Sequence, residues 1–315
     1  MELDICYAIN DKYVDYCLVS MVSVMENNPH LIKFHILTDS LEESNNQKLH
    51  DIVNKYGHQL KIYNIDDSRL EGQNISWSKY GWYRIFAPDV LDAGITKLLY
   101  LDCDTIVCGD ISDLFEIEKD DWSVAAVTDL MDIFPSIYEF VGYEMHKGYF
   151  CSGVLMMNLS YFRKNKISEK ILRFAIENPD RINFPDQDAL NYVCQDSKIT
   201  LPLKYGILDP FFRHHKFITK YRNEIKDALE DPRIIHYAGC APWIIESNPH
   251  HFDYLFWKYA DMIGGITKKH SLSGINLFKF KVKQTFAYLG YKPYAKLKKS
   301  KRLTKEEIYK NLMRQ

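Results

Sequence analysis

Two aspartates one residue apart, Asp102 and Asp104, close an apolar run in the stretch KLLYLDCDTIVCGD at residues 97–110. A short apolar run bounded by charge reads as a buried central strand. In an open α/β sheet, ligands bind outside the carboxyl ends of such strands. Around a bend, two carboxylates can share one hard divalent cation, which favours oxygen ligands and bridges to phosphate. Taken alone, such a pair is more often a solvated strand end, so its meaning depends on other residues. His236 is one of these, since it ends a short strand and a glycine turn follows it, a setting suited to a metal ligand. Asp186, Gln187 and Asp188 follow Pro185 at a helix start, where carboxylates offset the helix dipole. The same three groups could meet a sugar's hydroxyls. Arg84, on an aromatic segment, serves either a salt bridge or the steering of a carboxylate, phosphate or hydroxyl in a cleft.

These residues need a frame. Apolar periodicity predicts strands at 3–9, 32–38, 60–65, 97–104, 124–129, 149–159 and 234–237. It predicts helices at 14–27, 42–56, 79–87 (ending at Pro88), 183–194 and 252–262. Strand–helix–strand–helix–strand at the start is a βαβ series, hence an α/β fold with a parallel sheet and right-handed crossovers. Ser152-Gly153 opens the 149–159 strand, and a strand glycine often marks a close approach. No GxGxxG or GxxxxGK[ST] stands at a strand end, so neither that dinucleotide fold nor a P-loop is indicated.

The chain has 315 residues, 46% of them hydrophobic, enough for one large or two small domains. Seven scattered cysteines without a CxxC pair suggest reduced thiols in a cytoplasm. No secretory signal is expected from the first residues, and no stretch nears the roughly 20 apolar residues of a membrane span. The net charge of −2 hides an asymmetry: from residue 267 on lie 14 of the 40 basic residues but two of the 42 acidic ones. Gly264-Gly265 reads as a boundary, giving a catalytic domain over 1–263 and a basic, aromatic C-terminal region over 264–315. Lysines interleaved with aromatics suit an anionic membrane surface, at roughly 1 kcal/mol per charge near it, rather than nucleic acid.

Four stretches together resemble family 8 glycosyltransferases, the retaining group that includes bacterial lipopolysaccharide galactosyl- and glucosyltransferases and glycogenin. They are YAINDKY (7–13), YLDCDTIV (100–107), YFCSGVLMMNL (149–159), and the pair FPDQDALN (184–191) and IIHYAG (234–239). The resemblance implies a GT-A fold, a UDP-sugar donor such as UDP-glucose or UDP-galactose, and a divalent metal, Mn²⁺ or Mg²⁺. Position by position, it implies Asp102, Asp104 and His236 as metal ligands, with Cys103 among the donor-binding positions. It implies Ala8, Asn10 and Tyr13 at the uridine, Arg84, Asp186 and Gln187 at the donor sugar, and Gly239 at the diphosphate. Asp186 or Gln187 would lie near the anomeric carbon during front-side attack by the acceptor. Two positions depart from the family pattern: Cys151, usually Asn, and Ala241, usually a lysine that neutralises the diphosphate. Lys12 or an element of the tail could supply that charge instead. The resulting expectation is a cytoplasmic hexosyltransferase, peripheral on the inner face of the membrane, extending a lipopolysaccharide or surface glycan. A metal-dependent nucleotidyltransferase and a non-catalytic UDP-sugar-binding protein are the alternatives.

Overall fold

The computed structural model describes residues 1–70, 78–269 and 302–313. The first half alternates strictly: β1 (Glu2–Ala8), α1 (Val14–Asn27), β2 (Leu31–Thr38), α2 (Glu43–Lys55), β3 (Gln59–Asn64), α3 (Lys79–Val90) and β4 (Lys97–Leu101). Next come β5 (Thr105–Val107), β6 (Val124–Thr128), α4 (Pro135–Val141), β7 (Phe150–Asn158), α5 (Leu159–Asn165), α6 (Ile167–Glu177), α7 (Pro185–Cys194) and β8 (Ile199–Leu201). The chain ends with α8 (His215–Lys220), α9 (Arg222–Glu230), β9 (Ile234–His236), α10 (Asp253–Ile263) and α11 (Lys305–Met313).

Seven strands form one sheet in the order β3-β2-β1-β4-β7-β6-β8. The pairings β2–β3, β1–β2, β1–β4 and β6–β8 are parallel, and β7 runs antiparallel to both β4 and β6. Every residue of β7 is buried, as a central strand covered on both faces must be. Apolar residues of α1 and of the C-terminal segments cover one face of the sheet. Those of α3, α5, α6 and α7 cover the other.

Two expectations need correction. The strand expected at 97–104 breaks at the aspartates. There the Asp102 N–H turns to Gly153 O at 2.8 Å and the Thr105 hydroxyl caps Asp102 O at 2.8 Å. The chain then enters a separate two-stranded sheet, in which Thr105 lies opposite His236. The helix expected to end at Pro88 runs on to Val90. A proline in the last turn forfeits little more than its own N–H bond.

The C-terminal segments remain attached to this body. Ile308 and Leu312 of α11 are fully buried in the main core. Thr304 and Glu307 exchange hydrogen bonds of 2.9 and 3.2 Å in a capping box that starts α11. The predicted membrane-facing stretch falls mostly on 270–301, outside the described residues. Among the described residues, no helix is long and apolar enough to cross a membrane.

Candidate active site

The bend after β4 and the antiparallel pairing of β5 with β9 bring Asp102, Asp104 and His236 to one point. One ligand atom from each lies within 4.8 Å of the others. His236 Nε2 is 3.3 Å from Asp104 Oδ1 and 3.8 Å from Asp102 Oδ2. The two oxygens of Asp102 have separate duties. Oδ1 accepts from the Tyr100 hydroxyl at 2.9 Å and from Arg84 at 3.0 Å. Oδ2 faces the imidazole.

Gly153 makes room for this arrangement. A Cβ there would stand 2.2 Å from His236 Cε1 and 2.7 Å from Asp102 Oδ2. The glycine thus marks a close approach, as its position in a strand suggested, and what approaches is the imidazole. Two carboxylate oxygens and one ring nitrogen around such a point suit Mn²⁺ or Mg²⁺. The residues therefore fit a divalent cation.

Arg84 is the hinge between this point and the next group. Buried to 4% exposure, its guanidinium lies 4.2 Å from the Tyr100 ring centroid. It donates to Gly81 O, Ser152 O and Asp102, and Nε lies 3.2 Å from Asp186 Oδ2. Burial opposes its charge, but Asp102 and then Asp186 outweigh burial and raise its pKa. Asp186 also accepts from Ser152 Oγ at 3.1 Å, and burial raises its carboxyl against the pull of Arg84. Gln187 turns towards β7, where its Oε1 accepts from Ser152 N at 2.9 Å and its Nε2 donates to the Tyr149 hydroxyl at 3.3 Å. Asp188 is structural: it accepts from the N–H groups of Asn183 and Phe184, both at 2.7 Å, and anchors the Tyr149 hydroxyl at the start of α7.

Burial alone would lower His236, but Asp104 first and Cys151 second raise its pKa well above the ordinary imidazole value. Burial would raise Asp104, and His236 overrides it to hold that carboxyl low. On the far side of the ring, Nδ1 lies 3.5 Å from Cys151 Sγ. Cys151 therefore stands against the back of the imidazole.

Beside these residues opens a cleft of about 290 Å³, lined by Ala8, Asn10, Tyr13, Arg84, Asp102, Cys103 and Asp104 among others. Seven of the expected donor-binding residues thus share one cavity. His236, Asp186 and Gln187 stand behind its wall through the contacts above. Gly239 does not line it; it sits in the turn after β9 with a φ of +70° and open space around it. Sequence reasoning missed Tyr80, Tyr100 and Trp243, which also line the cleft. Tyr100 could have been found, because residues i and i+2 of a strand share a face and it precedes Asp102 by two. Trp243 stacks on Tyr16 at 4.0 Å and 9°, a pairing set by tertiary structure alone.

Comparison with known proteins agrees with this architecture. The family model for glycosyl transferase family 8 matches residues 4–245. A lipopolysaccharide 1,2-glucosyltransferase of Escherichia coli K12 is 28% identical over 246 residues, covering 76% of this chain and 72% of that protein. A lipopolysaccharide 1,3-galactosyltransferase of Salmonella typhimurium LT2 is 27% identical, covering 77% of this chain and 73% of that protein. The crystal structure of the galactosyltransferase LgtC with donor and acceptor sugar analogues superposes with a TM-score of 0.70 at 21% identity. It covers 85% of this chain and 98% of LgtC, and so shares the GT-A fold. The family match spans most of the chain, and the protein belongs to glycosyltransferase family 8.

Proposed function

We propose that this glycosyltransferase is a retaining hexosyltransferase moving glucose or galactose from a UDP-sugar to a lipopolysaccharide or other surface-glycan acceptor. The observation that carries the reading is the meeting of Asp102, Asp104 and His236 beside a cleft. Those three residues would hold Mn²⁺ or Mg²⁺. When bound, the ion supplies Lewis-acid stabilisation of the departing diphosphate.

The remaining work falls to the chain itself. Tyr13, partly exposed at the cleft mouth, offers a ring for the uracil to stack on, with Ala8 and Asn10 beside it. Arg84 ties Asp102 to Asp186, so that the diphosphate and sugar subsites share one rigid cation. Asp186 and Gln187, both braced by Ser152, would orient the sugar and its anomeric carbon for the incoming hydroxyl. The basic 264–315 region would dock the catalytic body, residues 1–263, against an anionic inner-membrane surface near a lipid-linked acceptor.

Incubation with UDP-glucose or UDP-galactose, acceptor glycan and Mn²⁺ tests the reading. Metal-dependent release of UDP with transfer of the hexose is expected. Release of pyrophosphate, or binding of donor with no turnover in the presence of competent acceptor, would overturn it.

A further inference from the structure

The cleft has a shortage of positive charge. Among its described lining residues Arg84 is the sole basic side chain, beside Asp102 and Asp104. Its guanidinium is already committed to Gly81 O, Ser152 O, Asp102 and Asp186. The wall formed by Ala241, Trp243 and Ile244 carries no charged side chain of its own. Any nucleoside diphosphate lying between these walls brings two phosphates that one metal ion alone must neutralise.

A lysine arrives at that wall from outside the strand core. After α10, Gly264 and Gly265 both adopt positive φ, 79° and 76°, and turn the chain back. Residue 269 then forms a parallel bridge with Ile244. Lys269 N donates to Trp243 O at 2.8 Å, and Ile245 N donates to Lys269 O at 2.9 Å. Its backbone is therefore fixed against the residues that line the cleft. The ammonium lies 4.8 Å from the centre of the Tyr16 ring, which stacks on Trp243 and meets the Tyr13 ring edge-on at 6.0 Å. Its charge reaches Tyr13, where it opposes the rise that burial imposes on the phenol. Among the described residues no carboxylate pairs with Lys269, so its charge remains available to a ligand.

We propose that Lys269 is a diphosphate-binding residue, delivered to the lip of the donor cleft by the segment after α10. There it supplies the positive charge that Ala241 does not. Resting on the donor reading above, the assignment adds a new role: the beginning of the C-terminal region is part of the donor site. The other candidate for that role, Lys12, is exposed and precedes Tyr13 in the chain.

Calorimetric titration of the full chain with UDP and with uridine, each with Mn²⁺, tests it. In Lys269→Gln, UDP affinity should fall roughly ten- to hundredfold, the scale of one charge-assisted contact, while uridine affinity holds. Adding Ala241→Lys to that variant should recover most of the loss. Undiminished UDP binding by Lys269→Gln overturns the assignment, and so does an equal loss for UDP and uridine, or a loss confined to Lys12→Gln. Failure of the wild-type chain to bind UDP at all would instead overturn the donor reading, and this inference with it.

Discussion

Replacing Gly153 by alanine adds one methyl group at the point where the three candidate ligands meet. The new Cβ would lie 2.2 Å from His236 Cε1 and 2.7 Å from both His236 Nε2 and Asp102 Oδ2. Carbon contacts are comfortable near 3.5–4.0 Å, so the imidazole must retreat by about 1 Å or more. It has little freedom to do so. His236 is 4% exposed, its strand is paired to β5, and Cys151 stands behind the ring. Overpacking a core in this way typically costs about 1–3 kcal/mol of stability. Ligand displacement adds a separate effect. Loss of a group that merely orients a ligand lowers metal affinity roughly 10- to 100-fold, and moving the ligand itself should do no less. Gly142 provides a control, because its φ of +85° strains any side chain and a Cβ there would collide with the Arg181 guanidinium, with none of the three candidate ligands among its nearest neighbours. Thermal melts and Mn²⁺ titration monitored by electron paramagnetic resonance separate the two effects. Gly153→Ala should lose both stability and Mn²⁺ binding, whereas Gly142→Ala should lose stability alone. A folded Gly153→Ala protein that binds Mn²⁺ within threefold of wild type would refute the reasoning.

Asp186→Asn should leave UDP binding within a few fold while cutting transfer at least roughly 100-fold, because the proposed role of the carboxylate is at the sugar rather than at the nucleotide; parallel binding and product assays would refute this by showing equal losses. Asp253 offers a stability test. Burial lifts its carboxyl to about 6, and its Oδ1 has no partner among the described residues. A carboxyl with a raised folded pKa contributes stability at pH below its unfolded value and loses that contribution as pH rises through about 6. Asp253→Asn should therefore exceed the wild type in stability at pH 8, by about 1–2 kcal/mol once solvent screening of this partly exposed group is allowed for, and match it near pH 4. Denaturant melts at the two pH values decide, and an advantage that is the same at both would contradict the assignment.

The residues that carry chemistry were readable because their signals are local. Asp102 and Asp104 end an apolar run, and Asp186 follows a proline at a helix start. The relation between them is not local. Nothing in residues 97–110 says that the chain changes sheets at the aspartates, since that break depends on Gly153 O and on the pairing of Thr105 with His236 across the fold. The meaning of Gly153 depends equally on a ring some 80 residues later in the chain. Gly264-Gly265 looked like a boundary because paired glycines interrupt periodic sequence. In the structure they turn the chain back onto the cleft wall, and later α11 buries Ile308 and Leu312 in the same core. Pro88 misled for a simple reason: a helix tolerates proline where few hydrogen bonds remain to be lost.

The proposed chemistry requires one cation held by Asp102, Asp104 and His236. Anomalous diffraction at the manganese edge, from crystals grown with UDP and Mn²⁺, tests it most directly. The prediction is a single anomalous peak within about 2.0–2.6 Å of one oxygen from each aspartate, the His236 nitrogen and the diphosphate oxygens. A peak bound elsewhere, or UDP seated in the cleft with no peak among these three residues, would contradict it.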